Sequence, residues 1–326
     1  MILDQNATCS LQENYTSSFK AARVSALVVL AILSLVCNVL ILFVIYKDKR
    51  LKTPANVFIM NMAISDLIYP LLVIPKEIAM IYTNHTWIVK GHLGTFLCKM
   101  VHFLQDISTF VSIQSHIAIA IERFCAVMLP LKTFQSSKCN RRLGVIATWL
   151  ISTVYTSPYF YTFRLLPTKP EGSYVCVHLW EPVFNNYIAQ KKYYLTSLII
   201  MYLLPLLLAI VLYSVLLMRL RRRVCLGQSA KRALDQSKQV TNLAITIITV
   251  FALSWAPVHI IHMIFIFKWN WSLPCDMDKV WFGAFFLGWM NSLGNPVVHF
   301  IFCKNYQRCV KKMFGSLRSR TVTEKI

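Results

Sequence analysis

Long apolar runs alternate with short polar connectors along most of this chain. Seven runs are long enough to cross a hydrocarbon layer as helices: residues 24–46, 55–82, 100–128, 143–163, 193–218, 240–267 and 280–302. The connectors show no internal repeat and no low-complexity tract. The pattern predicts an all-α membrane protein, a seven-transmembrane helix bundle. It divides into a polar N-terminal segment (1–23), a transmembrane domain (24–302) and a short tail (303–326). In the tail, Lys304, Arg308, Lys311 and Lys312 alternate with Tyr306, Val310, Met313 and Phe314, which predicts a short amphipathic eighth helix lying along the inner interface. A helix from Cys98 to Arg123 would rise roughly 37 Å, enough to carry a cysteine on one side of a bilayer and the Glu122–Arg123 pair on the other.

Composition agrees. Of 326 residues, 56% are hydrophobic and only 14% charged, and the mean hydropathy is +0.54. The formal net charge is +21, but the basic residues sit in short clusters between apolar runs. That distribution is membrane orientation rather than a nucleic-acid surface, so membrane lipid is an expected partner and nucleic acid is not. Residues 1–23 lack an apolar core with a small-residue cleavage site, so the first apolar run is expected to act as an uncleaved anchor.

The basic clusters also choose the orientation. With the N-terminus outside, the inner segments hold Lys47, Lys49 and Lys52 in the first loop, Arg141 and Arg142 in the second, and Arg219, Arg221 and Arg222 in the third. Together with the tail they contain most of the 34 lysines and arginines. Four glycosylation sequons, at Asn6, Asn14, Asn84 and Asn270, all fall outside in this topology. Four of the ten cysteines fall there too: Cys9, Cys98, Cys176 and Cys275. That side permits disulfides. A Cys98–Cys176 bridge would leave Cys9 and Cys275 to pair with each other. Cys303 and Cys309 flank the tail helix, where palmitoylation and ordinary reduced thiols are both open.

Polar residues at membrane depth mark the chemistry. Asp66 is a lone acid in the second run, and Asn38, Ser112, Asn291 and Asn295 lie at matching depth. A charge there is expensive, so the group reads as a cation site with oxygen ligands; a neutral, hydrogen-bonded aspartic acid is the alternative. Pro158, Pro205, Pro257 and Pro296 each remove a backbone donor and mark hinges, with Trp255 beside Pro257 and Asn295 beside Pro296. No nucleophile–base pair or metal-spaced cluster suggests an enzyme. No paired half-helices or inverted repeats suggest a transporter.

Taken in order, Asn38, the Asn61–Leu67 segment around Asp66, Glu122-Arg123-Phe124, Trp149, Pro205, Ser254-Trp255-Ala256-Pro257 and Asn295-Pro296-Val297-Val298-His299 resemble the motifs of rhodopsin-like (class A) G protein-coupled receptors. The resemblance covers essentially the whole chain. It implies an outer disulfide Cys98–Cys176 and an allosteric sodium site of Asp66, Ser112, Asn291 and Asn295, with no other cofactor or metal. It implies a core switch of Ile113, Pro205 and Phe251, and a toggle at Trp255. It also implies that Arg123, supported by Glu122 and Tyr213, meets a heterotrimeric G protein when helix 6 swings outward, with Leu131 plugging into the G protein surface.

Several positions depart from that pattern. Ser237 stands where some receptors carry an acid that locks Arg123. His299 replaces the tyrosine that ends the helix 7 motif, and His116 replaces an aliphatic residue two turns above Arg123. The resemblance implies that these histidines approach each other on activation. A pair of imidazoles there would make activation depend on proton supply, since charging both is repulsive; two neutral histidines with ordinary partners are the alternative.

The ligand is read by exclusion. A retinal protein needs a lysine where this chain has Trp289. Amine receptors use an aspartate where this chain has Gln105, and Asp106 is rotated by about 100°. A glutamine there resembles neuropeptide receptors. Glu77, Glu181, Asp276 and Asp278 offer charge to a basic amidated peptide, and Trp289 and Phe285 offer an aromatic wall. The expectation is therefore a plasma-membrane, multi-pass receptor for an extracellular neuropeptide, read by Gln105, Glu77, Glu181, Trp255, Phe285 and Trp289. A small-molecule or amine receptor and a constitutively active receptor remain open.

Overall fold

The computed structural model describes residues 17–128, 138–222, 227–274, 277–303 and 306–309. Expectations placed on Asn6, Cys9, Asn14, Leu131, Cys275 and Asp276, and on most of the tail helix, lie outside the described residues.

The chain forms seven spans. The first is α1 (Ser17–Lys47). The second starts where the Thr53 hydroxyl accepts a bond from Asn56 N at 3.3 Å and Pro54 takes the first helical position. It runs through α2 (Pro54–Asp66), a wide π-turn (Tyr69–Val73) around Pro70, and α3 (Ile74–Tyr82). The third span is α4 (Gly91–Met128), which packs on α2 and on two of the helices that follow, α5 (Lys138–Thr156) and α8 (Leu204–Arg222). After α5 comes the short α6 (Tyr159–Thr162), then the antiparallel strands β1 (Phe163–Thr168) and β2 (Ser173–His178). The fifth span is α7 (Asn186–Ser197), a second π-turn (Leu198–Leu203) and α8. Asn185 caps α7 by accepting from Ile188 N at 3.1 Å. The sixth is α9 (Gln228–Phe267), which continues past Pro257. The seventh is split into α10 (Asp278–Trp289) and α11 (Asn291–Phe302).

Five of these segments are long and apolar enough to cross a membrane as single helices: Ser17–Lys47, Pro54–Tyr82, Gly91–Met128, Asn186–Arg222 and Ser237–Phe267. The other two spans fall short for visible reasons. The first turns of α5 carry Lys138, Arg141 and Arg142, and the seventh span is interrupted at Met290.

The helices exceed the expected runs at most ends. α1 starts at Ser17 rather than 24, α4 at Gly91 rather than 100, and α9 at Gln228 rather than 240. Apolarity marks only the part of a helix inside hydrocarbon; polar turns remain helical where water satisfies the backbone. Conversely, the run 143–163 joins α5 and α6, which Pro158 separates.

Burial is inverted relative to a water-soluble protein. Asn38, Ser34, Ser65, Asp66, Ser112 and Asn295 are buried, while Leu253, Val154, Ile210 and Leu207 face outward. Lipid is the outer solvent, so the polar atoms gather in the centre of the bundle.

Candidate functional site

The end of the bundle where α4 begins, expected to be the outer one, holds a cavity of about 400 Å³. The β1–β2 hairpin contributes Phe163, Cys176 and His178 to its wall. Leu165 pairs with Cys176 in the strand register, and Cys176 is bridged to Cys98 of α4 with the Cα atoms 5.7 Å apart. Trp87 N donates to Tyr174 O at 2.7 Å and fixes the hairpin to the first outer loop. The Phe163 ring stacks between His102 (4.2 Å) and His178 (4.6 Å). Burial pushes the His178 imidazole in this hairpin down to about 3, so it is neutral at pH 7.

Glu77, Gln105, Phe285 and Trp289 line the cavity as expected. Gln105 Oε1 and Trp289 Nε1 are buried without a hydrogen-bond partner among the described residues, one an acceptor and the other a donor. Two other residues are placed elsewhere. Glu181 is exposed on the loop and is not in the cavity wall. Trp255 is buried outside the wall, in the same apolar cluster as Trp289, against Gly288, where a Cβ would come within 3.4 Å of its ring. The acids expected to meet a basic ligand are partly neutralised: Lys76 Nζ lies 2.5 Å from Glu77, and Arg23 Nη2 lies 2.7 Å from Asp278.

Asn84 and Asn270 are exposed, each the first of two left-handed residues closing a helix. Their φ angles are +48° and +45°, followed by His85 and Trp271 at +64° and +67°. Asparagine tolerates that conformation better than other non-glycine residues.

Midway down, Asn295 Nδ2 donates to Asp66 Oδ2 at 2.9 Å and to Ser112 Oγ at 3.3 Å. Asn38 Nδ2 donates to Ser34 O and Ser292 O, both at 2.8 Å. Four buried oxygens have no donor among the described residues: Asp66 Oδ1, Asn291 Oδ1, Asn295 Oδ1 and Asn38 Oδ1. A buried carboxylate oxygen without a donor, on one network with Asn295 and Ser112, fits a hard monovalent cation such as sodium, which takes oxygen ligands and water. Among the described residues no group of three or more His, Cys, Asp and Glu side chains fits a transition metal.

Ile113, Phe251 and Trp255 belong to one buried cluster, and Pro205 lies half-buried at the start of α8. Two contacts here were not legible in the sequence. Tyr202, in the second π-turn, donates to Ala252 O at 2.6 Å and ties the fifth span to the sixth close to Pro257. Asn61 accepts from Trp149 Nε1 at 2.8 Å and donates to Ser115 Oγ and Thr148 Oγ1 at 2.9 and 3.1 Å, joining the second, third and fourth spans.

At the opposite end of the bundle Arg123 Nη2 lies 2.6 Å from Glu122 Oε1, its neighbour on α4. Among the described residues no ion pair joins Arg123 to α9. Val127, Leu216, Leu220 and Leu234 close this end, with Phe124 against them. Tyr213 is buried within electrostatic reach of Arg123. His116 packs edge-on to Phe251 at 5.8 Å, and His299 lies 5.7 Å from Tyr306. Both imidazoles are buried; among the described residues His116 Nε2 and both ring nitrogens of His299 lack hydrogen-bond partners. Tyr306 and Cys309, in a helical turn at 306–309, share an apolar cluster with Ile41, Val44 and Ile45 of α1, and the Cys309 thiol donates to Asp48, just past the end of α1, at 2.9 Å. Cys303 is half-buried.

Comparison with known proteins places this geometry. The family described as "7 transmembrane receptor (rhodopsin family)" matches residues 37–299. Galanin receptor type 1 of Rattus norvegicus is 29% identical over 283 residues, 85% of this chain and 77% of the relative. Neuropeptide Y receptor type 6 of Mus musculus is 26% identical over 297 residues, 87% of this chain and 77% of the relative. The pyroglutamylated RF-amide peptide receptor of Rattus norvegicus is 28% identical over 297 residues, 85% of this chain and 66% of the relative.

Proposed function

The chain belongs to the rhodopsin family of seven-transmembrane receptors, a multi-pass membrane family of receptors rather than enzymes, and on that premise we propose that an extracellular neuropeptide activates it and that it signals to heterotrimeric G proteins. The observation that carries this reading is the roofed outer cavity with unpaired Gln105 Oε1 and Trp289 Nε1, in a chain whose relatives are named for galanin, neuropeptide Y and RF-amide peptides. A peptide brings amide donors and carbonyl acceptors that match such leftover groups. The N-terminus is then outside, and the basic clusters face the G protein and the anionic inner leaflet.

In this mechanism Glu77, Gln105, Phe285 and Trp289 bind the peptide, and Glu181 meets it at the rim. Pressure on Trp289 passes to Trp255 and then to Phe251 and Ile113, all within one buried cluster. Bistable packing at Pro205, Pro257 and Pro296 lets the inner half of α9 move outward and frees Arg123. Asp66, Ser112, Asn291 and Asn295 would hold a sodium ion, which supplies the positive charge that balances Asp66. Those four side chains brace the second, third and seventh spans in the resting arrangement. Substituting Asp66 with asparagine is expected to abolish any difference in thermal unfolding between sodium and a large organic cation at equal ionic strength. An undiminished sodium effect in D66N would remove this site from the account.

Basal and peptide-stimulated G protein activation, measured in cells against a library containing galanin, neuropeptide Y and a pyroglutamylated RF-amide peptide, tests the reading. Activation by at least one peptide supports it. High basal activity with no peptide response favours a constitutively active receptor, the reading that the missing ion pair between Arg123 and α9 keeps in view.

A further inference from the structure

One group in the outer cavity is out of electrostatic balance. Asp106 lies in the cavity wall, and its Oδ2 accepts a hydrogen bond from the Tyr159 hydroxyl. Among the described residues no cation lies within ion-pair distance of it. The cations of the cavity are engaged elsewhere: Arg23 with Asp278 at 2.7 Å, Lys76 with Glu77 at 2.5 Å and Lys20 with Asn84 at 3.0 Å. Lys76 is within electrostatic reach of Asp106, but Lys76, Glu77 and Asp106 together still leave one negative charge in excess. A carboxylate partly withdrawn from water is costly without a compensating charge.

The surroundings of Asp106 are aromatic. Tyr155, Tyr193 and Tyr194 are all within its electrostatic reach. Tyr159, Tyr194 and His262 line the cavity: Tyr194 lies against His262 at 4.3 Å, and Tyr159 is backed by Tyr193 at 5.8 Å, which stacks on Tyr155 at 5.4 Å. Ring faces carry partial negative charge, so this wall attracts an organic cation and gives an anion nothing to bind. A purely apolar group would leave the carboxylate unsatisfied.

We propose that Asp106, with Tyr159 and Tyr194, forms a cation subsite between the third, fourth and fifth spans that takes a guanidinium or ammonium group of the ligand. This subsite lies apart from the Glu77 edge, where Lys76 already screens the acid. It deepens the peptide-receptor reading and rests on it, adding that the ligand is cationic where it meets α4. The guanidinium also stacks flat on aromatic rings, which favours an arginine side chain over a lysine.

The test uses full-length receptor in lipid nanodiscs and three probes: the N-acetylated dipeptide amides of arginine-phenylalanine, lysine-phenylalanine and citrulline-phenylalanine. Acetylation leaves the side chain as the sole cation, and citrulline is the neutral counterpart of arginine. Affinity is read from the shift in thermal unfolding with probe concentration. The expected result is about tenfold or greater preference for the arginine probe over the citrulline probe, with lysine between them. Asp106→Asn, which can still accept from Tyr159, should bind all three alike, and Asp106→Glu should restore the preference. Equal binding of the three probes by the wild type, absence of binding by any of them, or a preference that persists in Asp106→Asn each overturns the subsite. Peptide signalling is measured separately in cells, so the peptide-receptor reading can stand when the subsite falls.

Discussion

Substituting Cys176 with serine is expected to abolish the response to extracellular ligand and to cut the amount of receptor at the cell surface severalfold. The bridge to Cys98 closes a loop of 78 residues. By loop-closure entropy such a crosslink contributes about 4–5 kcal/mol. Without it the hairpin is held mainly by Trp87 N on Tyr174 O, by Trp180 N on Asn186 Oδ1 and by the Phe163 stack. The roof of the cavity would open, and the buried His102 and Phe163 faces would meet water. Cys98→Ser should match Cys176→Ser, and the double variant should be no worse than either, because one bond is lost in all three. Surface labelling and ligand response in the same cells check this. A Cys176→Ser receptor that reaches the surface and responds normally would show that the hairpin does not depend on the bridge.

The second large effect lies at the other end. Leu234 of α9 packs with Val127, Leu216 and Leu220, and these side chains are nearly or fully buried. Truncating a buried leucine to alanine removes about 2–5 kcal/mol of packing. If about 1.4 kcal/mol of that is lost from the closed arrangement alone, the ratio of open to closed receptor rises about tenfold. Leu234→Ala is therefore expected to raise basal G protein activation several-fold at matched surface expression. The prediction has force because no ion pair joins Arg123 to α9 among the described residues, so apolar packing carries the closure. Basal activation identical to wild type would mean that this cluster does not restrain α9.

How legible these features were in the sequence depended on whether they announce themselves locally. Asp66 and Asn295 stand out as polar residues in apolar runs, and the structure joins them at 2.9 Å. The segment from Leu166 to Lys192 is long enough to fold back on itself across Cys176, and the structure forms a hairpin there. Span ends were less legible, because hydropathy stops at the hydrocarbon edge while α1, α4 and α9 continue into polar turns. The interruption of the seventh span at Met290 has no proline to announce it, and Pro296 lies inside the continuing α11. A proline inside a helix removes one donor, and the remaining ladder can continue past it. Tyr202 and the Asp106–Tyr159 contact were hidden for another reason. A π-turn shifts the facing of every residue beyond it, so Tyr202 could not be placed by 3.6-residue periodicity. Asp106 looked rotated away from the ligand because Gln105 occupied the expected position. In the structure the cavity wraps far enough around α4 for both to line it.

The central claim is that an outer cavity binds a peptide and a separate inner end reports it. The most direct measurement is paired binding of a labelled activating peptide and G protein activation in Trp289→Ala and Arg123→Ala receptors of matched surface expression. The account predicts that Trp289→Ala loses binding by about tenfold or more, as for a buried aromatic anchor. It also predicts that Arg123→Ala binds within about threefold of wild type, a difference of under 1 kcal/mol, yet no longer activates the G protein. A Trp289→Ala receptor that binds the peptide normally, or an Arg123→Ala receptor that still activates fully, would contradict it.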